Sequence, residues 1–155
     1  MKKFMFSLST LFEMKKTRKD ELQREYTEAK AKLERAFSEK ITLDQICADE
    51  SRRYEAKVKK GVTAADMEAH AIYFKELCDK ISAAANQVTC AQLEVNQKQG
   101  ALVETFKEIK ALEKLREKQY REYLAEEEKQ GNKIREDILA FNITGKKAEL
   151  TGTVS

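Results

Sequence analysis

Apolar residues in this chain recur at alternating steps of three and four, and they do so twice, in two runs that mirror each other. One run passes through Leu22, Tyr26, Ala29, Leu33, Ala36, Lys40, Leu43 and Cys47. The other passes through Met67, His70, Phe74, Leu77, Ile81, Ala84, Val88, Ala91, Val95, Lys98 and Leu102, then Thr105, Ile109, Leu112 and Arg116. This spacing is the seam of a heptad coiled coil. Folding the chain at Val62 sets Leu22 against Leu102, Leu33 against Ala91, Ala36 against Val88, Leu43 against Ile81 and Cys47 against Leu77. Two heptad runs agree this well by chance about once in seven, because they align somewhere within each period. Several pairs oppose a large residue to a small one, as close packing requires.

The stretch "VKKGVTAADM", residues 58–67, carries the signals of a turn at the same place. Lys59 and Lys60 suit the negative end of a helix dipole. Gly61 suits the left-handed position that follows a helix. Thr63 is a good N-cap, with Asp66 at the third helical position as the acidic member of a capping box. Val62 and Met67 are spaced as a hydrophobic staple. The expected fold is therefore all-α: a long antiparallel two-helix coiled-coil hairpin turning at about residues 61–63. No sustained alternation of period two marks a strand. The absence of proline, only 5 glycines and 37% charged residues fit long helices.

The first arm is expected from about Phe4 to Lys60, about 85 Å, and the second from Ala64 to about Phe141, about 115 Å. This inequality leaves about twenty residues of the second arm unpaired from about Tyr120 onward. "NITGKK" is expected to end the helix. Residues 1–145 then form a single hairpin domain, with 146–155 a flexible tail.

No catalytic constellation is found, and the chain reads as a non-enzyme without cofactor or metal. His70 is the lone histidine, placed in the seam opposite Tyr54, and a metal site needs several ligands. No glycine-rich phosphate loop is present. Cys47, Cys78 and Cys90 are odd in number and lack a CxxC pattern, so they read as small apolar residues in a reducing compartment. The opening "MKKFMFSLSTLFEMKK" is too short and too interrupted for a signal peptide, and no segment reaches the length of a membrane span. A net charge of +3 is near balance and does not point to a nucleic-acid binder.

Three stretches nevertheless resemble a known family. "KKFMFSLSTLFEMKK" is similar to the opening of FliJ, a small cytoplasmic component of the flagellar type III export apparatus. Its F-x-F-x-L-x-x-L element is matched by Phe4, Phe6, Leu8 and Leu11. "YFKELCDKI" resembles the aromatic-plus-leucine element after the family's hairpin tip, with Tyr73, Leu77 and Ile81 at matching spacing. "ALEKLREKQYREY" resembles its C-terminal box, here Glu113, Lys114 and Leu115. The first arm departs from the family pattern, since only Tyr54 matches its tyrosines near the tip.

The resemblance implies a stalk-like rod that binds the hexameric export ATPase and promotes its assembly and activity. It implies contact with the membrane-embedded export gate through the tip, and with export chaperones. The location implied is cytoplasmic, with peripheral association at the inner face of the cell membrane. Tyr54, Tyr73 and Leu77 become candidates for the gate surface. Phe4, Phe6, Leu8, Leu11, Glu113, Lys114, Leu115, Tyr120 and Tyr123 become candidates for the ATPase surface. Competing readings are the equivalent stalk of a virulence secretion system, an unrelated structural coiled coil, and a nucleic-acid arm using Lys15, Lys16, Arg18 and Lys19.

Overall fold

The computed structural model describes residues 2–152 of the 155. Two helices account for nearly all of it: α1, Ser9–Lys60, and α2, Ala64–Gly152, packed antiparallel as a helical hairpin with no strand among the described residues.

The turn forms as its residues dictate. Gly61 takes φ 102°, the one positive φ among the described residues, and its N–H reaches the Val58 carbonyl at 3.1 Å. A side chain there would be strained, which is why glycine ends the helix. Thr63 then caps α2. The Asp66 N–H donates to Thr63 Oγ1 at 3.2 Å, and the Thr63 N–H donates to Asp66 Oδ2 at 3.3 Å, a reciprocal capping box. Those bonds from Thr63, with the Lys57 ammonium 3.9 Å away, hold the Asp66 carboxyl below its ordinary pKa. Met67 is 53% exposed, so it belongs to the surface of the tip rather than to the seam.

Packing divides the described residues into two compact units. In the unit Lys16–Lys107 the mirrored register is visible residue by residue. Leu22, Ala29, Leu77, Ala84, Ala91, Val95 and Thr105 are buried, and the other seam positions from Tyr26 to Tyr54 and from His70 to Leu102 are half-buried. Tyr54 stacks on His70. Lys98 Nζ meets Glu25 at 2.8 Å and Lys32 Nζ meets Glu94 at 3.4 Å, two ion pairs that span the helices beside the seam. The first of them lowers the Glu25 pKa through its hydrogen bond from Lys98. The small residues on the seam let the helices approach, and the long charged stems cover the edges. Cys47 is half-buried in the seam, whereas Cys78 and Cys90 are exposed; all three are free thiols.

The other unit joins Met1–Lys15 to Glu108–Ser155. Here two expectations change. The first helix does not begin at Phe4. Residues 2–6 are irregular, a turn follows at Ser7 and Leu8, and the Ser9 N–H bonds back to the Phe6 carbonyl at 3.1 Å. The turn swings Phe6 onto Phe12, with ring centroids 6.4 Å apart and edge-to-face, and buries both. Burying that aromatic pair outweighs extending the helix by a few residues. The second helix, in turn, does not stop at "NITGKK". Gly145 keeps a helical backbone, and the Thr144 hydroxyl donates to the Ala140 and Phe141 carbonyls of its own helix instead of capping a new one. Residues 146–150 are therefore helical and exposed, and 153–155 lie outside the described residues. The seam also shifts. It passes through Leu112, Leu115, Gln119 and Tyr123, leaving Arg116 exposed. Unpairing starts after Tyr123 rather than at Tyr120, because residues 2–8 lie alongside.

Candidate functional site

Two surfaces carry the candidate residues, one in each unit. In the unit Met1–Lys15 with Glu108–Ser155, a cluster gathers around Phe6, Phe12, Ile109 and Leu112, with Phe4, Leu8 and Leu115 packed against it. Phe12 is the most buried member at 4% exposure. Phe4 lies edge-on to Tyr120 at 5.1 Å and tilted to Tyr123 at 5.5 Å, and the two tyrosines stack at 6.2 Å. The Tyr123 hydroxyl donates to the Lys2 carbonyl. This bond ties the irregular N-terminal residues to α2.

The cluster joins seven of the nine sequence candidates: Phe4, Phe6, Leu8, Leu115, Tyr120, Tyr123 and, at its rim, Glu113. A shallow groove there is lined by Phe4, Glu113, Arg116, Glu117 and Tyr120. One wall is aromatic and the other carries charges of both signs, an arrangement suited to an aromatic-rimmed protein contact. Leu11 and Lys114 are exposed and stand apart from the cluster. Phe12, Ile109 and Leu112 form its floor. Phe12 escaped the motif, although it continues the first seam backwards from Leu22 through Lys19 and Lys15 and mirrors Leu112 about Val62. The two lysines on that stretch masked the pattern.

Below the groove, α2 runs on past the cluster. Leu124, Ile134, Ile138, Leu139, Phe141 and Ile143 are all about half exposed or more.

The second surface lies at the turn, within Lys16–Lys107. Leu77 is buried at 4% and is part of the core. Tyr54 has one ring face covered by His70 at 3.6 Å, and His70 continues to Phe74 at 5.8 Å. Tyr73 stands 42% exposed beside them. Val58, Met67 and Ile72 are also exposed apolar residues near the turn. Ile72 lies off the seam stripe, and its signal in the sequence is a large apolar residue at a position the heptad assigns to solvent.

The N-terminal basic group is engaged with carboxylates. Lys15 pairs with Glu108, Arg18 with Glu21 at 3.2 Å and Glu25 at 3.7 Å, and Lys19 with Asp20 at 3.6 Å while lying over the Phe106 ring. Among the described residues no group of His, Cys, Asp and Glu could hold a metal ion, and no helix is long and apolar enough to cross a membrane.

Comparison with known proteins gives one family. The family described as "Flagellar FliJ protein" matches residues 4–141. A curated relative, the flagellar FliJ protein of Bacillus subtilis (strain 168), is 28% identical over 142 residues, covering 87% of this chain and 92% of its own. No solved structure matches the chain.

Proposed function

Because the chain belongs to the FliJ family of flagellar proteins, we propose that it serves flagellar type III export as a helical stalk for the hexameric export ATPase, promoting its assembly and turnover. What supports this is the aromatic cluster of Phe4, Tyr120 and Tyr123 next to the unpaired part of α2. Phe4 and Tyr120 are fixed by their mutual contact, so they offer a rigid aromatic face at small entropic cost, the property of interface anchors. The groove beside them sets Glu113 and Glu117 against Arg116, and these can choose the register of a charged partner.

The turn meets the cytoplasmic part of the export gate in this reading, with Tyr73 as the anchor and the Tyr54–His70 stack as its support. Leu77 contributes by holding α2 in place. Export chaperones and peripheral association with the cell membrane complete the proposal. The direct test is capture of the purified export ATPase by the full chain, beside a Phe4→Ala, Tyr120→Ala double variant. The full chain should retain the ATPase and the variant should lose it, with helix content unchanged. Equal retention by both would remove the cluster from the contact.

A further inference from the structure

The groove beside Phe4 has a chemistry of its own. Glu113, Glu117 and Tyr120 follow one another by four and three along α2, so they share one face of the helix. Two carboxylates four residues apart on a helix repel each other. Cations that could quench this stand three or four residues away, at Lys110, Lys114, Arg116 and Arg121. Yet neither glutamate holds an ion pair among the described residues, whereas nearby Glu108 is paired with Lys15. Two rings stand beside the carboxylates. Phe4 and Tyr120 meet at 69° with centroids 5.1 Å apart, and so form a corner. Tyr120 is 46% exposed, which leaves part of its ring open to a ligand. The groove measures about 360 Å³, room for one long side chain.

We propose that this groove receives an arginine side chain of the partner protein. Aromatic rings attract a cation through their quadrupole, and the two unpaired carboxylates select the same sign of charge. An apolar or acidic occupant would instead strip water from Glu113 and Glu117 and give them no partner. A guanidinium suits the corner better than an ammonium does. It is flat and weakly hydrated, so it can lie on a ring while its edge N–H groups donate to carboxylates. Glu113 and Glu117 lie about one helical turn apart, within reach of a single fork. A lysine ammonium is compact and strongly hydrated, and it loses more on leaving water. Arg116 lines the same groove but does not fill the place itself, since it pairs with neither glutamate. That the arginine belongs to the export ATPase rests on the export reading; the arginine chemistry does not.

The probe is a blocked alanine–arginine–alanine tripeptide, titrated into the full chain and followed by the ring-proton resonances of Tyr120. Peptides with lysine or citrulline in place of the arginine are the controls, citrulline keeping the shape and losing the charge. The arginine peptide should shift those resonances saturably, the lysine peptide should bind more weakly, and the citrulline peptide should leave them unmoved. A Glu113→Gln, Glu117→Gln double variant should bind the arginine peptide about fivefold more weakly. It should melt no lower than the parent, because it loses a like-charge repulsion. No saturable shift with arginine, an equal shift with citrulline, lysine binding as tight as arginine, or a double variant that binds like the parent would each overturn the proposal. Capture of the purified export ATPase then identifies the partner. The full chain should retain it and the double variant should retain less; equal retention would overturn the proposal for that partner. A chain that binds the arginine peptide as described but captures no ATPase would uphold the groove and sink the export reading.

Discussion

Tyr54 and His70 stack face to face across the hairpin, with ring centroids 3.6 Å apart and planes 4° from parallel. Each stands eight residues from Val62. The stack is the last layer before the turn and fixes the register there, since a slip of one residue would part the rings. The same mirror relation should hold along the seam. Cysteines placed at Ala36 and Val88, in a chain lacking its native thiols, should form an intramolecular disulfide in dilute protein. Exclusively intermolecular product would mean a different register.

The cap at the turn should be measurable alone. Thr63→Ala removes the hydroxyl that accepts the Asp66 N–H and should cost about 1 kcal/mol of stability. Asp66 adds a pH dependence. Its folded pKa lies below the ordinary value of 3.8, so its contribution is fully present above that value and is lost as pH falls through the folded one. Thermal melts of the parent and of Asp66→Asn should therefore converge on acidification. A constant gap between them down to pH well below 3.8 would contradict the capping role.

Tyr73 and Leu77 should separate contact from core. Tyr73→Ala should melt like the parent yet lose about 2 kcal/mol of binding to the export gate, about thirtyfold. Leu77→Ala should lower the stability of the hairpin itself by about 2 to 5 kcal/mol, since Leu77 is buried. A Tyr73→Ala chain that melts normally and binds the gate like the parent would leave Tyr73 as cover for the edge of the seam.

Much of this architecture can be read from the residues, for a physical reason. In a two-helix hairpin the burial pattern, the caps and the register all follow from spacing along the chain, so Gly61, Thr63 and the seam from Leu22 to Leu102 are legible. The ends are not. Phe4 and Phe6 have helix-compatible neighbours, but the gain from folding Phe6 onto Phe12 is tertiary and leaves no local signature. Gly145 resembles a helix stop, yet it stops nothing without a left-handed backbone and a capping partner. For the candidate surfaces, Tyr73 and Tyr120 come from the family resemblance, and spacing could not tell that Leu11 and Lys114 stand apart from the cluster. That depends on the shift of the seam from Arg116 to Leu115.

Residues 1–145 are proposed to unfold as one cooperative unit, because α1 and α2 each run through both compact units without a break. Urea unfolding followed by helix content and by tyrosine fluorescence should give coincident transitions. Two separated transitions would divide the hairpin into independent parts.

The export reading is tested most directly by ATP hydrolysis of the purified export ATPase, titrated with the full chain and with a chain ending at Ala125. Removing residues 126–155 deletes the unpaired part of α2 but leaves the seam and the aromatic cluster intact. The full chain should stimulate hydrolysis saturably, and the shortened chain should need at least about tenfold more protein for the same effect, the consequence of losing about 1.4 kcal/mol of contact. A shortened chain that stimulates the ATPase as well as the full one does would contradict the account.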